Sequence, residues 1–382
     1  MVHEIVGEGT YGCVIKPSMK CEDDEKRNYS NKVSKVMLEK HAKEEYEEVH
    51  KIASVPGIKK YILIPDICKP KIDQEFLSNV KNCKNEKLKK HDPSTYRMLI
   101  MEDGGITILQ FIESMLPILG KKDVCIFLTK IYDLMNGLCF FHDYYIIHHD
   151  IHMKNVVYNI KTGTLKFIDF GFMQNVKQFI QDNINNKNGN AQTWFNFPPE
   201  YKCANNEDYA ACGYSLPYNK YVERLAYTFD WYSLGVMMQT VLKEIYFYDE
   251  IIPKTSLEKI YNFFLMVAEP NIERRNYNVK TLPLEYKKLL QKLKIWQSKK
   301  VKPIPTTESI QLQEKLNSKT AQILTKSDRN SLIKHMKDLC KTGHVFNHAT
   351  RRCLKKCKSG FIRNNATKRC IKRKQSDEKK KN

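Results

Sequence analysis

The most informative segment of this chain is His148-His149-Asp150-Ile151-His152-Met153-Lys154-Asn155, and a second motif, Asp169-Phe170-Gly171, follows it. Between these motifs lie two short apolar segments, residues 155–158 and 165–168, separated by Lys161-Thr162-Gly163. Short apolar segments on either side of a polar, glycine-containing turn predict two strands joined by that turn. The polar residues of both motifs therefore lie beside a small strand–turn–strand unit.

A glycine-rich segment occupies the start of the chain. Glu4-Ile5-Val6 predicts a strand, Gly7-Glu8-Gly9-Thr10-Tyr11-Gly12 a turn, and Cys13-Val14-Ile15 a second strand. A dinucleotide-binding turn would require a helix directly after the glycines, whereas a strand follows here. Because glycine has no Cβ, a loop of this kind can approach the phosphates of a nucleotide closely. Taken alone, the segment is equally compatible with an ordinary hairpin turn.

The chain divides into a strand-rich part and a larger helical part. The first part contains a predicted strand, an acidic helix and two more strands, at residues 33–38, 40–52, 61–64 and 98–101. A Lys- and Asn-rich insertion, residues 72–95, separates the last two strands. After Asp103, apolar residues recur every three or four positions, which predicts helices over residues 106–115, 124–142 and 229–296.

The composition describes an ordinary globular body with a basic appendage. Of the 382 residues, 42% are hydrophobic and 11% aromatic, which excludes a wholly disordered protein. No apolar run approaches the length of a membrane span, and the first residues lack the pattern of a signal peptide, so we expect an intracellular protein without a membrane span. Residues 341–382 carry +13 of the formal net charge of +21.

Several further motifs occur in the order found in one family. Pro198-Pro199-Glu200, Asp230-Trp231-Tyr232-Ser233-Leu234-Gly235 and an arginine at 274 or 275 follow the two motifs above. With them the sequence resembles the eukaryotic-type protein kinases, which have Ala-Pro-Glu, Asp-x-Trp-Ser-x-Gly and an arginine that pairs with that glutamate. The resemblance implies a two-lobed α+β fold over residues 1–298. Its N-lobe (1–101) would hold an antiparallel sheet and one helix, and its C-lobe (102–298) would be helical.

The resemblance also implies transfer of the γ-phosphate of ATP with Mg²⁺. Lys35 would hold the α- and β-phosphates. Asn155 and Asp169 would supply hard oxygen ligands to Mg²⁺. Asp150 would accept or orient the proton of the attacking hydroxyl. These four residues form the implied catalytic set.

A glutamate of the helix at residues 40–52 would brace Lys35. Glu45 is the predicted partner, because Val49 and Ile52 at the fourth and seventh positions after it place it at the edge of the apolar face. Three other glutamates of this helix remain alternatives: Glu44, Glu47 and Glu48.

The implied nucleotide site combines the glycine-rich segment with the junction of the two lobes. The adenine would lie between Val33 above and Val157 below, and Met101 would control the depth of the pocket. The hinge backbone would meet the adenine edge at Glu102, Asp103 and Gly104. The residues implied in the glycine-rich segment are Val6, Gly7, Glu8, Gly9, Thr10, Tyr11, Gly12, Cys13 and Val14. The apolar members also fit a simple lobe core.

The chain departs from the family at two positions of the first motif. His149 replaces the arginine that commonly grips a phosphate in the activation segment, and imidazole is mostly neutral near pH 7. We therefore expect activity that does not require phosphorylation of that segment, which runs from Asp169 to Glu200. Thr193 is its nearest candidate acceptor, but a plain substrate-groove residue is the favoured interpretation of Thr193. His152 replaces a lysine usual in Ser/Thr kinases, whereas Lys154 occupies a basic position of tyrosine kinases.

These departures leave alternatives to a Ser/Thr protein kinase open. Related small-molecule phosphotransferases often carry histidine at the position of His152. Against this class stand Pro198-Pro199-Glu200 and Asp230-Trp231, which form the peptide-binding platform of protein kinases. A pseudokinase scaffold would lack at least one of Lys35, Asp150, Asn155 and Asp169, and all four are present.

The cysteines fall into two groups. Eight are scattered from Cys13 to Cys212, which favours reduced thiols in a cytosolic protein. Beyond a linker (299–339), residues 340–374 contain two 17-residue repeats with the remaining four: Cys340, Cys353, Cys357 and Cys370. These four could close hairpins by disulfides, bind Zn²⁺ or stay free. Residues 375–382 are a charged tail.

The repeat resembles two-cysteine segments appended to proteins of large cytoplasmic DNA viruses, and the divergent kinase sequence resembles the kinases of those viruses. This likeness implies a viral protein in the host cytoplasm, with a virion-associated pool, whose residues 340–382 tether it to a viral or virion partner. The alternatives are nonspecific nucleic-acid binding by the +13 segment and a solubilising tail.

Overall fold

The computed structural model describes residues 3–9, 11–23, 26–185, 195–204, 206–247 and 252–297, together with four short strands between residues 344 and 372. The chain divides into two compact units, Met1–Ile304 and Pro305–Asn382. The first unit has the two-lobed α+β architecture that the sequence predicts: an antiparallel sheet lobe followed by a helical lobe.

The N-lobe is built on a five-stranded antiparallel sheet with the spatial order β1-β2-β3-β5-β4. The strands are β1 (Glu4–Glu8), β2 (Gly12–Lys16), β3 (Lys32–Leu38), β4 (Asp66–Cys68) and β5 (Tyr96–Glu102). Helix α1 (Glu39–Ala53) follows β3 directly and packs with Ala42 and Tyr46 against Met37 and Leu99. Neighbouring residues of a strand face opposite sides, so Met98 and Ile100 point to the other face of the sheet.

The strand predicted at residues 61–64 is wrong. This segment is apolar because it is buried against the C-lobe: Phe167 donates its N–H to the Tyr61 carbonyl at 2.8 Å, and Ile62 forms an isolated bridge with Phe167. The fourth strand of the sheet begins only at Asp66.

The insertion at residues 72–95 folds onto the sheet face opposite α1. It contains α2 (Gln74–Asn82) and α3 (Glu86–Lys89). Asp73 starts α2 by accepting the Phe76 N–H at 2.8 Å. Phe76, Val80 and Leu88 are buried there together with residues of the sheet. The insertion is therefore a packed part of the N-lobe, and the prediction of a single helix in this lobe is wrong.

Six of the eight cysteines before Cys340 are paired in disulfides, so the prediction that they are reduced thiols is wrong for these six. The pairs are Cys13–Cys83, Cys21–Cys68 and Cys203–Cys212, with Cα–Cα distances of 6.2, 5.9 and 6.4 Å. Free thiols in the described ranges belong to Cys125 and Cys139. The partners lie 70, 47 and 9 residues apart, and only the folding of the chain brings them together.

The C-lobe is mainly helical. Its helices are α4 (Ile108–Gln110), α5 (Lys121–Asp143), α6 (Val176–Ile184), α7 (Asn206–Cys212), α8 (Tyr218–Phe247), α9 (Lys254–Val267) and α10 (Leu282–Lys292). Its strands are β6 (Ile106–Thr107), β7 (Ile146–Ile147), β8 (Val156–Asn159), β9 (Thr164–Phe167) and β10 (Gln174–Asn175). The antiparallel β8–β9 pair confirms the predicted strand–turn–strand unit, displaced by one residue. The helix predicted from residue 106 begins only at Ile108.

In the described ranges, α5 is the one helix long and apolar enough to cross a membrane, and 61% of its most apolar window is buried inside the fold. Phe127, Leu128 and Ile131 are fully buried. The Tyr286 hydroxyl of α10 donates to the Leu128 carbonyl at 2.8 Å. The apolar character of α5 thus serves the core of the C-lobe.

The described residues of the second unit form two antiparallel strand pairs. They are β11 (His344–Asn347) with β12 (Arg352–Lys355), and β13 (Phe361–Arg363) with β14 (Cys370–Lys372). His344 pairs with Lys355, and Phe361 pairs with Lys372, so both members of the second pair are displaced by 17 residues from the first. The predicted linker and charged tail, and the chemical state of the four cysteines of this unit, lie outside what the structure describes.

Candidate active site

The loop that carries Asp150 connects β7 to β8, and Asp230 of α8 holds it in place through hydrogen bonds to its backbone. The two oxygens of Asp230 accept the N–H groups of His148 and His149 at 2.7 and 2.9 Å. Burial raises the pKa of Asp230 to about 7, although these two bonds favour its charged form. The His148 ring lies 3.1 Å from the Ile168 carbonyl, so the same loop also fixes the strand end that precedes Asp169.

The segments His148–Asn155 and Asp169–Gly171 each contain a residue in the left-handed backbone region. His149 has φ 67° and Asp169 has φ 64°, a conformation that is uncommon outside glycine. Such strain persists only where surrounding bonds determine it, and it concentrates at functional sites. Here the Asp230 and Ile168 contacts supply those bonds.

Asp150 lies at the centre of a polar group. The Asn155 amide donates to its carboxylate at 2.8 Å, and the Asn196 amide donates to the other oxygen at 3.3 Å. The His152 ring nitrogen is 3.4 Å from the carboxylate. Burial opposes the charge of Asp150, but the contacts with His152, His148 and Asn196 outweigh it and hold its pKa below the ordinary value. The structure thus places Asp150 as a fixed, ionised carboxylate.

Lys35 joins the N-lobe to the second motif. Its ammonium lies 2.5 Å from the carboxylate of Glu45 and 4.0 Å from that of Asp169. Burial acts to lower the pKa of Lys35, but the carboxylates of Asp169 and Glu45 outweigh it and raise that pKa, so the amine is a cation. Of the glutamates on α1 that the sequence leaves open, Glu45 is the one that meets Lys35.

Asn155 and Asp169 offer an oxygen donor set that suits Mg²⁺. The Ile168 N–H donates to the Asn155 backbone carbonyl at 3.0 Å. This bond keeps Asp169, the next residue along the chain, close to Asn155. The Asp169 side chain is 46% exposed and thus accessible to a ligand. Carboxylate and amide oxygens with room for water and phosphate are what Mg²⁺ requires. These two residues fit the metal.

A second group of potential metal ligands lies elsewhere in the described residues. Atoms of Glu8, Cys13 and Cys83 fall within 4.8 Å of one another. The two sulfurs are joined in a disulfide, which leaves no thiolate to bind a metal.

The glycine-rich segment forms the β1–β2 turn. Gly9 donates its N–H to the Gly12 carbonyl at 2.9 Å. A Cβ on Gly12 would lie 2.2 Å from the Val36 carbonyl oxygen, so only glycine fits between β2 and β3. Tyr11 is exposed, and Thr10 lies outside the described residues.

Cys13 and Val14 differ in what their side chains can offer a nucleotide. The Cys13 side chain is buried in the core cluster on the insertion side of the sheet, so only its backbone could meet a ligand. The Val14 side chain faces the other side of the sheet, where a Cβ on Gly7 would lie 3.5 Å from it. Val14 and Lys35 are opposite each other in the register of β2 and β3. Val6 lies in β1 near the junction of the lobes.

The cleft between the lobes ends at the hinge, residues 102–105, which contains two glycines. Met101 pairs with Val33 across β3 and β5, and Glu102 ends β5. A Cβ on Gly104 would lie 2.7 Å from Val157 and 2.8 Å from Leu63, so the hinge backbone contacts the floor of the cleft closely. Gly105 has φ 92°. The hinge residues from 103 to 105 are half-buried, and the apolar residues Val33 and Val157 near them are buried.

Two contacts hold the lobes together beside this cleft, and the sequence did not predict either. The Gln110 amide of α4 donates to the Val6 carbonyl of β1 at 2.8 Å. Lys16 and Asp103 form an ion pair at 2.6 Å. The sequence also did not predict Asn196, which donates to Asp150. Its position two residues before Pro198-Pro199-Glu200 is the signal that could have found it.

A buried ion pair supports the C-lobe below the site. Arg275 lies 2.6 Å from Glu200, and both side chains are almost fully inaccessible. Arg275, rather than Arg274, is therefore the arginine that pairs with this glutamate. The pair fixes the 3₁₀ turn Pro199–Cys203 beneath Asn196.

His149 lies in an aromatic cluster. Its ring stacks on Phe197 at a centroid distance of 5.2 Å and meets the edge of Phe229 at 4.3 Å. Burial lowers its pKa to about 4, so the ring is neutral near pH 7. It offers packing and no positive charge.

The family model of the protein kinase domain matches residues 1–309. No curated protein matches the chain. The matched range contains both lobes, the anchored Asp150 loop, and the Lys35, Glu45 and Asp169 contacts described above. The chain therefore belongs to the protein kinase family.

Proposed function

We propose that residues 1–298 are a Ser/Thr protein kinase, which transfers the γ-phosphate of ATP to hydroxyl groups of proteins with Mg²⁺. The observation that carries the proposal is the position of the Lys35 ammonium, 2.5 Å from Glu45 and 4.0 Å from Asp169. Phosphoryl transfer depends mainly on positioning and on neutralising charge. A cation held between two lobes by two carboxylates is suited to that task.

The residues of the cleft would divide the work of transfer. Lys35 would hold the α- and β-phosphates, and Glu45 would keep its side chain in place. Asn155 and Asp169 would hold Mg²⁺, which neutralises phosphate charge when bound. The hinge backbone at Glu102 and Gly104 would bind the adenine edge, and the glycine-rich segment would cover the phosphates.

Asp150 would receive the substrate hydroxyl. Its lowered pKa makes it a weak proton acceptor, so it would orient the hydroxyl first and take the proton late, when the oxygen has become acidic in the transition state. The bonds from Asn155 and Asn196 would keep the carboxylate in one orientation.

The contact between His152 and Asp150 favours a second candidate, a small-molecule phosphotransferase. At 3.4 Å, a histidine fills the place of the usual lysine near the reacting groups. A protein substrate is supported more strongly by the Glu200–Arg275 pair and by Asp230, which order the surface on which a peptide would lie. A pseudokinase scaffold is the least supported candidate, because Lys35, Asp150, Asn155 and Asp169 are all present.

Transfer from γ-labelled ATP tests the proposal and separates these candidates. The full chain with Mg²⁺ is offered mixed cell protein in one reaction and a mixture of small alcohols and aminoglycosides in another. We expect label on phosphoserine and phosphothreonine of proteins. Label only on small molecules would favour the second candidate, label on phosphotyrosine would overturn the residue class, and no label at all would favour the scaffold.

We further propose that the enzyme acts in the host cytoplasm, with a virion-associated pool, and that residues 340–382 tether it to a viral or virion protein. The two 17-residue repeats support a protein-binding module, and the charge of +13 in residues 341–382 makes nucleic acid the alternative partner. Retention of one protein at high salt would support the tether. Retention of DNA that disappears with salt and with deletion of residues 341–382 would support nucleic acid.

A further inference from the structure

The insertion between β4 and β5 contacts the glycine-rich segment at three consecutive residues. Cys83 is bonded to Cys13 at the start of β2. Lys84 donates its N–H to the Glu8 carboxylate at 2.8 Å, and its ammonium lies 3.6 Å from the same group. The Asn85 amide donates to the Gly9 carbonyl at 2.9 Å. We call residues 83–85 the clamp.

The clamp is attached to a rigid part of the lobe. Phe76 and Val80 of α2 and Leu88 of α3 are buried against the sheet. The Tyr96 hydroxyl of β5 donates to the carbonyls of Leu88 and His91 at 2.7 and 2.9 Å. Contacts from the clamp therefore restrain the glycine-rich segment against the packed core of the N-lobe.

Asn85 is held in the orientation that this restraint needs. Its side-chain oxygen accepts the Leu88 N–H at 3.0 Å and so caps α3, while its side-chain nitrogen reaches Gly9. One side chain thus connects a helix start to the backbone of the turn. An aspartate here could keep the cap but could not donate to Gly9.

The restrained segment contains three glycines. A turn with Gly7, Gly9 and Gly12 has large conformational freedom, which nucleotide binding must remove. In this structure the base of the segment is also bonded across the cleft, from Gln110 to Val6. A clamp that keeps the segment in this position lowers the entropy lost on binding ATP.

We propose that the clamp positions the glycine-rich segment only while the Cys13–Cys83 bond is closed, so that affinity for ATP depends on the redox state of this one disulfide. The inference rests on the proposed ATP site. It adds a thiol-controlled positioning device, with Asn85 and Lys84 as positioning residues that act through Gly9 and Glu8.

The redox step is a thiol–disulfide exchange. Closing the bond breaks the S–H bonds of Cys13 and Cys83 and forms one S–S bond. The two electrons and two protons pass to a small-molecule disulfide such as oxidised glutathione, which becomes two thiols. Dithiothreitol reverses the step and ends as its cyclic disulfide. Because both cysteines are at most 1% exposed, each treatment continues until the thiol count is constant.

The test measures the dissociation constant of a fluorescent ATP analogue on the full chain, oxidised and reduced, together with amide hydrogen exchange of residues 4–16. We expect reduction to weaken binding about five- to ten-fold and to speed exchange in this segment. The Cys13→Ser/Cys83→Ser variant should bind as weakly as the reduced protein under both conditions. Asn85→Asp should weaken binding while the disulfide stays closed.

The matched control is Cys21→Ser/Cys68→Ser, which removes the other N-lobe disulfide and leaves the clamp in place. It should keep the redox response even if its unfolding temperature falls. Equal affinity and equal exchange in oxidised and reduced wild-type protein would overturn the inference, as would failure of oxidant to close Cys13–Cys83. Absence of nucleotide binding in every form would instead contradict the proposed function, and exchange would still report on the clamp.

Discussion

At the scale of the residue, Glu45 differs from its neighbours on α1 in what its carboxylate meets. Glu44 lies 3.2 Å from His41 and is 57% exposed, and Glu48 pairs with Lys51 at 2.6 Å on the surface. Glu45 is 14% exposed and meets Lys35. Helical periodicity could predict this choice, because buried residues of α1 fix which face of the helix turns to the sheet.

The Glu45→Gln variant should lose most of its activity. A neutral amide cannot hold the Lys35 ammonium as firmly, and a misplaced cation stabilises the transition state less. We expect kcat/KM for ATP to fall about 10- to 100-fold, with an unchanged unfolding temperature within a few degrees. Glu44→Gln is the matched control and should keep full activity. Equal losses in the two variants would refute the role given to Glu45.

His149 predicts how stability changes with pH. Its pKa is about 4 in the folded protein and near 6.5 in the unfolded chain, so between these values the unfolded state binds more protons. Stability therefore falls as pH decreases from about 6.5 to 4, by about 3 kcal/mol for this group. His148, whose pKa burial also lowers to about 4, adds a similar dependence.

The His149→Asn variant removes one of the two titrating rings and tolerates the positive φ. Its free energy of unfolding, measured in urea from pH 7 to pH 4, should fall less steeply than that of the wild type. A slope unaltered in His149→Asn would show that this ring is not neutral in the folded state.

At the scale of the element, the hinge depends on close backbone approach. A Cβ on Gly105 would lie 2.2 Å from the Tyr158 carbonyl oxygen, and its φ of 92° is unfavourable for other residues. Gly213 has φ 70° but nothing within 4 Å of a Cβ. The two glycines share the backbone requirement and differ in the space around them.

Gly105→Ala should destabilise the protein by roughly 3 kcal/mol or more and raise KM for ATP, because β8 must move away from the hinge. Gly213→Ala should lower the free energy of unfolding by only about 1 kcal/mol, which is the cost of placing a side chain on a residue with positive φ. Urea unfolding and ATP kinetics of both variants check this. Similar small losses in both would mean that the hinge yields to a methyl group without difficulty.

The activation segment should work without a phosphate. The residue that would grip one is His149, whose ring is neutral and enclosed by Phe197 and Phe229. Phosphatase treatment, verified by mass spectrometry and compared with heat-inactivated phosphatase, should change the transfer rate less than two-fold. A fall of ten-fold or more would show that another group binds such a phosphate.

Several elements could not be predicted because their cause is tertiary. Residues 61–64 have the composition of a strand, yet their apolar side chains are buried by contact with β9. The insertion looks polar and Lys-rich, but Phe76 and Val80 suffice to pack α2 on the sheet. The disulfides join cysteines that no spacing rule connects. Local motifs predicted the Asp150 loop, whereas its partner Asn196 lies 46 residues further along the chain and meets Asp150 only in the folded protein.

At the scale of the whole molecule, the two lobes are connected through charged groups at the cleft. Lys35 from the sheet meets Asp169 from the C-lobe, and Lys16 meets Asp103 at the hinge. The Asp150 loop rests on Asp230 of α8. The order of the motifs along the chain predicted which lobe supplies each of these groups. The motifs at residues 148–155 and 169–171 each lie in a loop between two secondary-structure elements, so their place in the sequence also gives their place in the fold.

Label transfer from γ-labelled ATP and Mg²⁺ to protein, compared among the wild type, Asp169→Asn and Asp133→Asn, tests whether this cleft is the site of transfer. Asp133→Asn is the matched control. It makes the same chemical change on α5, where the Asp133 carboxylate forms an ion pair with Lys130. We predict label on serine and threonine with the wild type and Asp133→Asn, and a loss of at least 100-fold with Asp169→Asn. Equal labelling by all three proteins would contradict the assignment of this cleft as the site of transfer.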